Sequence, residues 1–153
     1  MKRIEVKLSL PVVAPLLDVI KEVADGLRER LAAPLALGDL EPEFAEAWSG
    51  ELLEGQRGDL GVLLALFDEH FFSDSTIGLD AANAEPVIRG CAAVRLRLRE
   101  KFLKEFGDET LEGGDVELED LEEPVRKAFM CYLFLATLQE LIIQHLDPSI
   151  LES

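Results

Sequence analysis

The sequence predicts a mainly α, single-domain helical bundle of four to five helices with one short β-strand in front. Three observations carry that expectation. The stretch Ala128–Leu138 (AFMCYLFLATL) passes eleven residues without a charge. Apolar residues recur at helical spacing through most of the chain, and strict alternation is confined to its first ten residues. At 153 residues the chain has the length of one domain with one sizeable core.

Lys2 to Leu10 alternates, with Ile4, Val6, Leu8 and Leu10 against Arg3, Glu5, Lys7 and Ser9, as a half-buried strand over 2–10 does. A lone strand leaves its backbone groups unpaired, so a partner is required. Asp115–Leu118 (DVEL) or a second copy of the chain would supply one. Residues 13–33 form the first helix, where Leu16, Leu17, Ile20, Val23, Ala24, Leu27 and Leu31 make one stripe. Pro11 and Pro15 suit its entry, where missing amide hydrogens do no harm. Residues 43–72 read as the second helix, interrupted at intervals of three by Gly55, Gly58 and Gly61. Those glycines point to close helix–helix approach or a local break, because neither GxGxxG nor a GKS/GKT ending is present to cradle phosphate.

Ser73–Leu79 reads as a loop. Asp80 then serves as N-cap of a helix over 80–107, with Val87, Cys91, Val94, Leu98 and Phe102 inward and Pro86 kinking or marking its start. The last helix, 119–147, contains the charge-free stretch and is central. An apolar run of that length is too short to span a bilayer, for which about 20 residues are needed, so it belongs to a soluble core.

Net charge is −16, with pI near 4.4. Phosphate backbones and anionic membranes need lysine and arginine, so neither nucleic acid nor membrane is an expected partner. Proteins or cations are. The front segment lacks an uninterrupted apolar stretch, because Glu5 and Lys7 break it, and is not read as a secretory signal. Cys91 and Cys131 lie among apolar neighbours as free thiols, and the expected compartment is the cytoplasm.

Charge is uneven. From Glu105 to Glu123 there are ten carboxylates and no basic residue. Just before them Arg89, Arg95, Arg97, Arg99, Lys101 and Lys104 make a basic helix. Mutual neutralisation across the bend is the simplest expectation, and an acidic docking surface is the alternative.

Candidate chemistry is thin. Asp108, Thr110, Glu112, Gly113 and Glu119 match positions one, three, five, six and twelve of a calcium loop, although Asp115 stands at the normally aliphatic eighth. Asp108, Glu112 and Glu119 are therefore the metal candidates, in a cation-binding or hydrolytic domain built on 108–123. His70 and His145 lack the Glu-x-x-His spacing of carboxylate-bridged metal bundles. They are expected near helix C-termini, where a donor side chain helps the last carbonyls. No GxSxG accompanies the serines, and no catalytic residue or cofactor is assigned.

Tyr132-Leu133-Phe134-Leu135-Ala136-Thr137-Leu138-Gln139-Glu140-Leu141, with Leu79-Asp80 and Arg95-Leu96-Arg97-Leu98 upstream, resembles a bacterial family of small helical proteins. It is the domain-of-unknown-function family numbered two thousand and seventeen. In order of elements the resemblance covers nearly the whole chain. Arg99 replaces a glycine, and Phe134 a tryptophan, of that family's pattern. Family members are often encoded near the adaptor of the Clp protease, so the resemblance implies a link to proteolysis or its regulation. It also draws attention to Arg95, Gln139 and Glu140. Arg95 and Glu140 are expected to meet as a partly buried pair between the last two long helices. The expected function is a non-catalytic interaction or regulatory domain, with homodimerisation satisfying the lone strand.

Overall fold

A computed structural model describes residues 3–32, 41–113 and 117–146. The elements run β1 (Arg3–Lys7), α1 (Leu10–Gly26), α2 (Pro42–Ala65), α3 (Glu69–Asp74), β2 (Thr76–Asp80), α4 (Ala84–Phe102), α5 (Asp108–Gly113), a 3-10 turn (Leu118–Asp120) and α6 (Glu123–His145). The fold is mainly α, as expected, with four long helices and two short ones among the described residues.

β1 finds its partner within the chain. β2 pairs with it antiparallel, Ile4 opposite Leu79 and Val6 opposite Ile77. Ser73–Leu79 reads as a loop and Asp80 as a helix N-cap in sequence, yet Thr76–Asp80 alternates, and Ile77 and Leu79 are buried. Gly78, short of a side chain, weakens the strand signal in sequence. The guanidinium of Arg3, which stands opposite Asp80, lies where a Gly78 Cβ would be. The pairing removes the need for a second copy to complete β1. Of the expected partner Asp115–Leu118, only residues 117–118 are described, and Leu118 begins the 3-10 turn.

The second helix is two helices. After Ala65 the chain breaks, and the Asp68 carboxylate accepts from the amides of His70 (3.0 Å) and Phe71 (3.3 Å), restarting it as α3. An acidic N-cap satisfies amides that a continuous helix would have bonded internally. His70 is thus in the first turn of a helix rather than at a C-terminus, with Nδ1 3.2 Å from Asp74. His145 ends α6 as expected. α3 closes at Ser75, in the left-handed region at φ 60°, whose carbonyl accepts from the Leu8 amide at 2.8 Å.

The helix expected from Asp80 begins at Ala84. The Asp80 carboxylate accepts from the Ala82 and Asn83 amides, and Asn83 Oδ1 accepts from the Asp80 amide, which closes a tight turn between β2 and α4. α1 starts earlier than expected, at Leu10, with Pro15 inside it, and stops at Gly26. The connection beyond it is held by two neighbouring side chains of α2, Arg57, whose Nε donates to the Arg28 carbonyl, and Gln56. Gln56 Nε2 donates to the Leu27 and Arg30 carbonyls, and Oε1 accepts from the Ala32 amide.

α4, not α6, occupies the centre, packing against α6, α2 and α1. α6 turns Ala128, Phe129, Cys131, Tyr132, Leu135, Leu138 and Ile142 inward. Among the described helices it is the one long and apolar enough by composition to cross a membrane. A core helix covered by α4 and α1 meets the same test.

Gly90 sets how closely α2 and α4 approach. A Cβ there would stand 2.9 Å from the Asp59 carbonyl oxygen and 3.2 Å from Leu63 Cβ. Gly55, Gly58 and Gly61 do no such work, since a Cβ on any of them would meet nothing within 4 Å. The expected close approach exists, but a glycine of α4 makes it.

Candidate functional site

Of the three residues singled out above, Arg95 and Gln139 meet at the α4–α6 seam, one position from the expected pairing. Arg95 Nη1 donates to Gln139 Oε1 at 2.6 Å, and the Arg95 guanidinium lies 4.4 Å from the Tyr132 ring centre. Gln139 Nε2 donates in turn to the Ile88 carbonyl at 3.0 Å. Glu140 is exposed and accepts from Gln144 on its own helix. The expected Arg95–Glu140 pair is therefore replaced by Arg95–Gln139. The inward stripe of α6 passes through Leu135, Leu138 and Ile142, and a residue two beyond Leu138 points away from it. Gln139 sits on the shoulder, and an amide there can both accept from an arginine and donate to a carbonyl, which a carboxylate cannot.

Arg95 Nε is buried without a hydrogen-bond partner. The tyrosine face compensates part of that deficit, because the ring quadrupole attracts the cation. Next to Arg95, Cys91 is fully buried, and Cys131 is buried on the facing helix. Burial pushes both thiols up to about 12, with Arg95 drawing Cys91 down slightly and Cys91 pushing Cys131 further up. A thiol so protected is protonated at neutral pH and is no nucleophile. The seam is a structural clamp.

Among the described residues, Arg89 and Arg97 of the basic helix pair with carboxylates outside the acidic segment. Arg89 makes a two-pronged pair with Asp59 of α2, at 3.0 and 3.1 Å, and a second with Glu85 at 2.9 Å. These carboxylates hold its guanidinium above its ordinary pKa, the Asp59 hydrogen bond being the main cause. Arg97 lies 3.9 Å from Glu100. Of the metal candidates, Glu119 is exposed on the 3-10 turn, while the Asp108 and Glu112 side chains lie outside the described residues. Among the described residues no group of three or more acidic, histidine or cysteine side chains is placed to hold a metal ion.

Several depressions open among the described residues, two of them of about 520 and 460 Å³. The one between the sheet and the α2–α3 break, about 520 Å³, is lined by Arg3, Asp68, His70 and Asn83. Three of its polar side chains already have structural duties: Asp68 caps α3, Asn83 Nδ2 donates to the Gly78 carbonyl at 2.9 Å, and Arg3 pairs with Asp80 at 3.5 Å.

The other is a groove of about 460 Å³ between α2 and α4, floored by Leu31 and Ala32. Leu52 and Gly55 form one wall, and Ala92, Ala93 and Leu96 the other. Along α2 the wall continues outward through Trp48 and Phe44, four residues apart, whose ring centres are 6.1 Å apart. All four large side chains stand exposed: Phe44 56%, Trp48 48%, Leu52 40% and Leu96 46%. Sequence reasoning placed this segment in the second helix and gave its apolar residues no role. A signal of exposure was available, since 41–56 (EPEFAEAWSGELLEGQ) holds Glu41, Glu43, Glu46, Glu51 and Glu54 among its apolar residues.

No family model, no curated protein and no solved structure matches this chain.

Proposed function

We propose that the protein is a non-catalytic interaction domain that docks a protein partner in the α2–α4 groove. The observation that carries this reading is the ladder Phe44, Trp48 and Leu52, three large apolar side chains in line and exposed on one helix. Aromatic and aliphatic anchors around an apolar concavity are what protein interfaces use, and contiguous exposed apolar surface marks such sites. A role tied to proteolysis rests on the resemblance of the Arg95–Leu98 and Tyr132–Leu141 segments alone.

Affinity capture from lysate of the source organism, with the tagged chain at low and high salt, tests the interaction reading. A specific, stoichiometric protein retained by the wild-type chain is expected. Recovery of the bait alone would overturn it.

A further inference from the structure

The groove has a charge layout that selects the chemistry of its occupant. Glu51 lines the groove itself, and helical spacing sets Glu43 and Glu51, one residue before Phe44 and Leu52, along one flank of the ladder. No lysine or arginine occurs between residues 41 and 56 to balance them. On the opposite wall Arg89, the one cation lining the groove among the described residues, is already paired with Asp59 and Glu85. The groove thus joins apolar side chains to an unbalanced glutamate on its α2 side, on a molecule of net charge −16.

We infer that this groove binds a basic amphipathic helical segment of another protein. Its leucine-like face would enter between Leu52 and Leu96, extending toward Trp48, and its lysines or arginines would meet Glu43 and Glu51. Helix-in-groove recognition uses apolar anchors at this spacing, and a rim of opposite charge steers association and sets specificity. A second copy of the chain fits less well, because its own α2 would bring the same row of glutamates against this one, and like charges face to face are disfavoured. The inference rests on the interaction reading and names the partner chemistry for the same site.

Trp48 is the chain's only tryptophan and stands on the ladder, so its emission reports occupancy directly. The probe is a short helical peptide of leucine and lysine, compared with the same peptide carrying glutamate for every lysine. The lysine peptide should shift Trp48 emission to the blue with saturation, and binding should weaken as salt rises. The glutamate peptide should leave the emission unchanged. L52S and L96S should each weaken the lysine peptide at least about tenfold, the loss of one anchor. Ile143→Ser, at an exposed apolar position on α6, controls for non-specific attraction to an acidic protein and should bind like wild type. All three changes are at exposed positions, and circular dichroism checks that each variant is folded.

Equal response to both peptides would overturn the inference. So would L52S and L96S binding as tightly as I143S, or a Trp48 shift produced by protein concentration alone, which would mean that a second copy covers the groove. A natural partner captured equally by wild type, L52S and L96S would sink the groove while leaving the interaction reading intact.

Discussion

The two ends of α2 share a helix and little else. Its C-terminal end carries Leu60 and Leu63, both buried, and lies close enough to α4 that only glycine fits at position 90. Its N-terminal end carries Phe44, Trp48 and Leu52, comparable in apolar character and left exposed. Gln56 stands between the two regimes, fastening the helix to the end of α1. The difference shows that apolarity alone does not decide burial. What decides it here is whether a facing helix can come near, and Gly90 permits that at one end only.

Substitutions at the two ends should separate them sharply. Leu63→Ala removes a fully buried side chain and leaves a cavity, so urea unfolding should show a loss of about 2–5 kcal/mol. A loss below about 1 kcal/mol would mean the C-terminal half is not tightly packed. Gly90→Ala should cost about 1–3 kcal/mol, because the new methyl meets the Asp59 backbone carbonyl, which cannot swing aside. Gly58→Ala should run the other way, gaining about 0.5–1 kcal/mol from helix propensity, since open space awaits its Cβ. A destabilised G58A would reveal a contact that the open space does not suggest. Smallest of all, Trp48→Ser should change unfolding free energy by no more than about 0.5 kcal/mol. A large loss there would place the aromatic ladder within the folded core's energetics and remove it from the binding surface.

How much of this was legible follows from what each feature depends on. The stripes of α1 and α6 were readable because a 3.6-residue period over many turns is a strong pattern. β2 was missed because five residues with a central glycine scarcely register, although Ile77 and Leu79 alternate correctly. The break before α3 hinges on Asp68 alone, and one carboxylate amid Asp68-Glu69 looks like ordinary helix surface. Gly90 could have been found, since it falls on the Val87–Val94 stripe, three residues after one and four before the other. Gly55, Gly58 and Gly61 drew attention by their regular interval, yet an interval does not say which face another helix will cover. The Arg95 partner was off by one residue for a related reason. Sequence told that the seam needed a polar bridge, but choosing Gln139 over Glu140 requires the rotation of α6 about its axis. The exposed ladder escaped notice because its spacing is that of a core helix, and only tertiary contact separates the two cases.

The positions of the two rarest chromophores have a practical consequence. The chain has one tryptophan and one tyrosine, and they fall in opposite regimes: Trp48 on the open end of α2, Tyr132 buried against Arg95 at the α4–α6 seam. Tryptophan emission is therefore a poor witness to the collapse of the interior, whereas the near-ultraviolet signal of Tyr132 follows it. Recorded together on one heated or urea-treated sample, they ask whether the molecule melts as a single cooperative unit. Coincident midpoints would make α2 one foldon with the rest, and an earlier tryptophan transition would mark its first turns as a segment that opens on its own.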